Sequence, residues 1–348
     1  MFDTLIRGGA VVDGTGRPAF AADVAVSGGR IAAIGDLSAA SAAHVIDAAG
    51  RTVTPGFIDI HRHADAALFR PGFGAAELCQ GLTTIVNGNC GLSAAPFGPA
   101  HGDAIRDYLR PITGALPPEL VTETLSGYFA SVPNIPVHVG MLAGAGVLRA
   151  DAAGYELEHL EDRHYRALHR ALEQALADGA LGVSLGLGYA PECFYTTAEL
   201  IREHCQVTMI DFMAAEEDIA AILRSPLSCL ISDATYPTEG MPHPRVYGSC
   251  TRLLQHFVRE QGVLTLEQGV HKLTQAPAQA LRLAGKGVIA VGADADLCVF
   301  DPAALTERGT YQDPCQTALG MDAVLVAGRL AVKNGELTGV KAGTLIRK

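Results

Sequence analysis

Between Pro55 and about Ala290 the chain alternates short apolar runs with stretches of helical spacing, and this restricts its fold more than any other feature. Apolar strands separated by helices bury both faces most readily as a parallel α/β sheet or barrel. Strands are expected over Val53 to His61, Thr83 to Asn89, Val137 to Gly144, Gly182 to Gly188, Val207 to Phe212 and Leu227 to Asp233. Helices are expected over Glu158 to Asp178, Thr251 to Gln261 and Leu266 to Ala284, the last capped by Thr265. A closed barrel needs eight strands, and the sequence offers six. Fewer than twenty residues separate Gly188 from Val207, which is room for a loop and one short helix.

The ends have another texture. "DTLIRGGAVVDG", "DVAVSGGRIAAIG" and "HVIDAAGRTVTPG" at the start, and "KGVIAVGADADLCVFDP" and "AVLVAGRLAVKNGELTG" near the finish, are short β segments punctuated by glycine turns. Neither end carries enough apolar surface for a stable sheet alone, so the two are expected to meet in one small β-sandwich. Residues 1–54 and 290–348 then form one composite domain and residues 55–289 an inserted (β/α) domain, a division that a length of 348 residues accommodates.

A formal net charge of −11 argues against general affinity for nucleic acid or an anionic membrane and leaves small-molecule chemistry as the better expectation. The amino-terminal stretch "MFDTLIRGGAVVDG" lacks the pattern of a secretory signal, and no apolar run reaches about 18 residues, so a cytoplasmic location is expected. The eight cysteines show no CxxC spacing, which indicates free thiols, mostly buried, rather than a disulfide framework.

Catalytic groups of a parallel barrel gather at the carboxyl ends of its strands. The first strand ends in His61-Arg62-His63, where alternation aims the two imidazoles one way and Arg62 the other. "VNGNCG" delivers Cys90 at the second tip, and "LISDATYP" delivers Asp233 at the last. Imidazole, thiolate and carboxylate are all zinc ligands. Taken singly, each residue has a plainer role: the histidines cap a strand end, Cys90 is a buried thiol and Asp233 caps a turn. In "MPHPRVYG", His243 fits turn packing and a direct role at the site equally well, and Arg245 fits either a surface ion pair or a two-pronged grip on a substrate carboxylate.

Together, "DTLIRGGAVVDGTG", "TPGFIDIHRHAD", "GLTTIVNGNCGLSAAP", "GALGVSLGLGYAP", "IDFMAAEEDIAAIL", "ISDA", "PHPRVYGS" and "ADLCVFDP" resemble the amidohydrolase superfamily. Within it they resemble the N-acyl-D-amino-acid deacylases, the D-aminoacylase and N-acyl-D-glutamate deacylase branch. The resemblance implies a β-sandwich plus a TIM-like (β/α) barrel, with zinc near His61, His63 and Cys90. It implies that Asp233 binds the attacking water and acts as general base, and that Arg245 grips the α-carboxylate. The reaction implied is hydrolysis of an N-acyl-D-amino acid to a carboxylate and a free D-amino acid.

The chain departs from that family in one region. Members carry two further metal-binding histidines, after strands five and six, whereas here the matching sequence passes from "FYTTAELI", ending at Ile201, almost directly to "VTMIDFM" at Val207. His204 lies at that junction without a preceding strand, and Gly144 is followed by Ala145 where the family has a histidine. The chain therefore looks like a deacylase lacking two βα units. Strand edges exposed by such a deletion call for cover, by rearrangement or by a second subunit in a homo-oligomer. The rival expectation is a catalytically impaired or non-catalytic remnant that persists as a scaffold or oligomer component.

Overall fold

In the computed structural model, which describes residues 1–194, 215–239 and 241–348, both ends of the chain enter one nine-stranded hydrogen-bonded sheet. Phe2–Val11 pairs antiparallel with Phe20–Ser27, which turns back into Arg30–Gly35. That turn is the pair Gly28 and Gly29, with φ of +58° and +76°, a conformation other residues rarely adopt. Thr52–Pro55 runs parallel to Phe2–Val11 and antiparallel to Leu297–Phe300, and so splices the two ends together. Leu297–Phe300 continues through Met321–Val326 and Arg329–Lys333. Ile6, Val24, Val26, Val53, Val299 and Leu325 form its buried apolar face.

The chain changes sheets at Gly56. A Cβ there would lie 2.2 Å from Thr83 Oγ1, so only glycine lets the strand pass so close to its neighbour. Beyond it, Phe57–Asp59, Leu82–Asn87 and His138–Met141 lie side by side in parallel. Ala143–Gly144 pairs parallel with Val183–Ser184, and Arg62–His63 with Ala234–Thr235. Every residue of Leu82–Asn87 is buried, as expected for a parallel strand covered on both faces. The strand expected over Val207 to Phe212, and the junction from Ile201 to Val207, lie outside the described residues.

The structure corrects several expectations. Leu227 to Asp233 is not a strand: Leu227 is 95% exposed, and the backbone is held by side chains and loops instead. Lys272 Nζ donates to the carbonyls of Ser225 and Ser228, Asp59 accepts from Ser232 N, and strand pairing starts only at Ala234. The helix expected over Leu266 to Ala284 breaks at Thr274 into Leu266–Leu273 and Gln275–Ala280. Pro277 explains the break, because it has no N–H for Leu273 and its ring crowds that carbonyl. The helix expected to start at Glu158 begins at Asp162. The helix expected from Thr251 begins at Arg245 and widens over Leu253–Glu260. Leu345–Ile346, assigned with the terminal sheet, pairs instead with His138–Met141 among the parallel strands. Of the seven described cysteines, all free, Cys79, Cys250 and Cys298 are buried while Cys193 and Cys315 are exposed. Among the described residues, no helix is long and apolar enough to cross a membrane.

A buried ionic latch ties the parallel strands to the terminal sheet. Asp296 Oδ1 lies 3.0 Å from His138 Nε2 and accepts from Ala327 N at 2.8 Å, while Lys286 Nζ donates to Oδ2 at 2.6 Å. Burial opposes the charge of Asp296, but His138, Lys286 and Ala327 outweigh it and hold the carboxyl below its ordinary 3.8. Asp296→Ala removes the partner of His138 Nε2 and one of the two carboxylates facing Lys286, which keeps Asp294 at 3.0 Å, and is expected to cost roughly 1–3 kcal/mol in denaturant unfolding. Because the folded pKa is depressed, the difference should be complete above about pH 4 and shrink as pH falls through the folded value. A loss below about 1 kcal/mol at pH 7 would show that the latch is energetically idle.

Candidate active site

The site forms beyond the ends of the strands Phe57–Asp59 and Leu82–Asn87, where the loop that carries Asp233 leads into Ala234–Thr235. Arg62–His63 sits beside Ala234–Thr235, with Arg62 opposite Ala234 and His63 opposite Thr235. Asp233 N donates to His61 O at 3.0 Å, which brings the carboxylate to the histidine pair. His61 Nε2 and His63 Nε2 each lie 3.2 Å from the same oxygen, Asp233 Oδ1. Cys90 Sγ lies 3.2 Å from His61 Nε2. The four donor atoms of His61, His63, Cys90 and Asp233 all fall within 4.8 Å of one another.

Local backbone aims these donors. Cys90 and Asp233 both adopt left-handed conformations, with φ of +56° and +49°. Such residues persist only where their surroundings over-determine them, and they concentrate at functional sites. In the Cys90 loop, Asn89 Nδ2 donates to Val86 O at 2.9 Å, and Gly91 N donates to Ser184 Oγ at 3.0 Å.

Electrostatics single out the same residues. Burial opposes ionisation of Asp233, but hydrogen bonds from His61 and His63 and the charge of Arg245 outweigh it and hold the carboxyl below the usual range. Arg245 Nη1 lies 3.0 Å from Asp233 Oδ2, so the two carboxylate oxygens serve different partners. Burial, together with Asp233 and Glu192, pushes the Cys90 thiol up to about 12. A divalent cation reverses that preference, since a coordinated thiol is deprotonated. Burial lowers the pKa of His63, which favours the neutral imidazole a metal requires.

The donor set fits zinc. Zinc–nitrogen and zinc–sulfur distances of about 2.0–2.3 Å in a tetrahedron imply donor separations of roughly 3.3–3.8 Å, and the 3.2 Å contacts lie close to that range. His63 Nδ1 is buried with no hydrogen-bond partner among the described residues, so it lacks there the acceptor that usually fixes the tautomer of a metal-bound imidazole.

The structure thus brings together all four residues expected as ligands, with Arg245 reaching them through Asp233. His243 packs edge-on against Tyr311 at 5.1 Å and accepts from Arg245 N at 3.0 Å, the turn-packing role. Three buried residues next to the site escape sequence reasoning. Arg62 was assigned only a direction. Asp65, whose carboxyl burial raises to about 7, lies in an apolar-looking stretch. Glu192 sits in "YAPECFY", where nothing in the spacing marks it.

The family model described as the amidohydrolase family matches residues 44–215 and 180–332. The D-aminoacylase of Alcaligenes xylosoxydans xylosoxydans is 27% identical over 479 aligned positions that cover all of this chain and 98% of that protein. Because that alignment is longer than the chain, the relative carries sequence that this chain lacks. A crystal structure of D-aminoacylase superposes with a TM-score of 0.88 at 26% identity, covering 100% of both chains. The N-acyl-D-glutamate deacylase of Bordetella bronchiseptica, solved with zinc and a phosphonate mimic of the tetrahedral intermediate, gives 0.87 at 26% identity, again covering 100% of both.

Glu192 lies under the Cys90 loop. A Cβ on Gly91 would fall 1.7 Å from its Oε2, so glycine there is what admits the carboxyl. Gly186 N donates to Oε2 at 3.1 Å, and burial raises the group to about 8. A pKa raised on folding from 4.5 means that the native state holds the proton more tightly, so this stabilisation is complete below about pH 4.5 and is lost as pH rises through about 8. Glu192→Gln keeps an acceptor without the charge. Its melting temperature is expected to match wild type near pH 5 and exceed it by several degrees at pH 9. Equal melting at both pH values would mean that Glu192 is not held neutral.

Proposed function

The chain belongs to the amidohydrolase family, and from that premise we propose that it hydrolyses the amide bond of N-acyl-D-amino acids, using zinc held by His61, His63, Cys90 and Asp233. The observation that carries this reading is the convergence of four zinc-type donors within 4.8 Å, with Arg245 on the free oxygen of the carboxylate. The deacylase relatives supply the substrate class. We assign residues 55–289 to the catalytic unit, with Leu345–Ile346 paired into its sheet, and residues 1–54 with 290–344 to its support.

Zinc in such a site lowers the pKa of water from 15.7 to about 7 and polarises a carbonyl oxygen. The chain supplies the rest. Asp233 is held ionised, as a general base must be, and stands where it can take the proton of an attacking water and return it to the departing nitrogen. Arg245 offers the guanidinium that a substrate α-carboxylate would engage in two parallel hydrogen bonds. A substrate bound there would draw Arg245 from Asp233 Oδ2 and free that oxygen for the proton. Tyr189, 47% exposed, stands close enough to Cys90, Asp233 and Arg245 for their charges to act on its hydroxyl.

One observation favours a second reading. Structural zinc sites are closed by four protein ligands, whereas catalytic ones keep a position open, and four donors already stand together here. Joined to the missing strand-five and strand-six histidines, this describes a metal-bound remnant with little or no turnover. The alignment that outruns the chain agrees with two absent βα units.

Metal content and turnover separate the two readings. The purified protein is expected to hold about one zinc per chain by elemental analysis and to release free D-amino acid from N-acetyl-D-amino acids. Zinc without turnover selects the remnant, and neither zinc nor turnover refutes the metal site altogether. If the enzyme is active, Asp233→Ala should lower kcat by roughly 10²-fold or more while most zinc stays on the other three ligands. Arg245→Lys should act chiefly by raising KM for the free-carboxylate substrate, with little effect on its amidated counterpart.

A further inference from the structure

We infer that Arg62 is a positioning residue for the metal site, holding from behind the backbone on which His61, His63 and Asp233 stand. The inference rests on the metal reading above. Arg62 is completely buried, and its side chain leaves the strand on the face opposite the two imidazoles. Its guanidinium donates to Asp59 Oδ2 at 3.2 Å, Glu77 Oε1 at 2.9 Å, Ser232 Oγ at 3.3 Å and Val246 O at 3.1 Å, and its Nε donates to Tyr236 Oη at 3.0 Å. A second guanidinium nitrogen also bonds Tyr236, whose hydroxyl donates in turn to Glu77.

The origin of these partners gives the arrangement its meaning. Ser232 precedes Asp233 by one residue, Tyr236 follows it by three, and Val246 is the neighbour of Arg245. Asp59 Oδ1 accepts from His61 N at 3.1 Å and from Ser232 N at 3.2 Å, so the carboxylate that meets Arg62 also joins the two ligand-bearing segments. Strand pairing between those segments amounts to two residue pairs. So short a ladder cannot by itself fix side chains to within the few tenths of an ångström that coordination requires. A rigid guanidinium fork reaching both segments can.

Burial opposes the charge of Arg62, yet Tyr236, Glu77 and Asp59 outweigh it and hold the group firmly protonated. The network carries one cation among two carboxylates, so removing Arg62 outright would leave both acids buried and uncompensated. The informative variant is therefore Arg62→Lys, which keeps the charge and loses the fork. An arginine that merely stabilised the fold would, when replaced, lower melting without altering how a bound ion is coordinated.

Cobalt(II) reads this difference, because its d–d bands and its thiolate charge-transfer band report coordination geometry directly. Wild type and Arg62→Lys, each confirmed as folded by circular dichroism and melted without metal, are titrated with cobalt(II). The variant is expected to bind roughly 10- to 100-fold more weakly, with altered d–d bands. Affinity within about twofold of wild type and superimposable spectra overturn the inference while leaving the metal site standing. Weaker binding with an unchanged spectrum and a matching loss of metal-free stability also overturns it. If Arg62→Lys does not fold, Tyr236→Phe carries the same comparison: a loss of about threefold or more with altered bands supports the inference, and unchanged binding overturns it. A wild-type chain that takes up no cobalt refutes the metal reading and this inference with it.

Discussion

The candidate site depends on a junction of two residue pairs, Arg62 with Ala234 and His63 with Thr235, between segments about 170 residues apart in the chain. Backbone hydrogen bonds contribute about 0.5–1.5 kcal/mol each, so a ladder this short is a weak clamp. Chemistry is concentrated on both of its faces. On one, Arg62 binds Asp59, Glu77, Ser232 and the partly buried Tyr236. On the other, both imidazoles meet one oxygen of Asp233. The strand ends are thus held by side chains more than by strand pairing, and a bound cation would complete the clamp from the open side.

The metal-free site is a poor resting place for its own groups. Cys90 and Asp233 occupy left-handed backbone, which costs on the order of 1–3 kcal/mol for each residue so held. The Cys90 thiol is kept protonated, while the carboxylate beside it draws on two histidines and an arginine to stay ionised. A divalent cation held by His61, His63, Cys90 and Asp233 would favour the thiolate and the neutral imidazoles and so ease the conflict of charge. The Asp296 latch differs in kind: it is satisfied as it stands, with a carboxylate facing Lys286, His138 and a backbone N–H, and it lies away from these strand ends.

How much of this the sequence discloses depends on distance along the chain. The period-two rule aims His61 and His63 together because it involves neighbours, and the structure has them on one carboxylate oxygen. "NGNCG" and "LISDA" are legible as strand tips because apolar runs precede them, although the second run is not a strand. There the apolar count of Leu227 to Leu230 misleads, since Lys272 and Asp59 capture the backbone that a neighbouring strand would have paired. The break at Thr274 was available in Pro277, but the apolar periodicity around it gave the opposite signal. Arg62 could be given a direction and not a destination, because Glu77, Ser232, Tyr236 and Val246 arrive from three other segments. Glu192 was hidden for the same reason: Gly91 leaves the space it fills, and the two lie about a hundred residues apart.

Coordination number links this geometry to reactivity. Were all four donors to hold zinc, a tetrahedron would be filled, and hydrolysis there would call for a fifth position or the withdrawal of one donor. Among the described residues, Asp233 itself is the ion-pair partner of both histidines, and Cys90 contacts His61. Asp233 has a further partner: its Oδ2 already meets Arg245 at 3.0 Å, and a small rotation would exchange one anchor for the other. An Arg245 engaged by a substrate carboxylate would offer that anchor less strongly than one that keeps its 3.0 Å contact with Asp233. On the deacylase reading, the arginine that selects the substrate therefore also sets where the general base rests. The two residues act as a pair whose effects on turnover would not add.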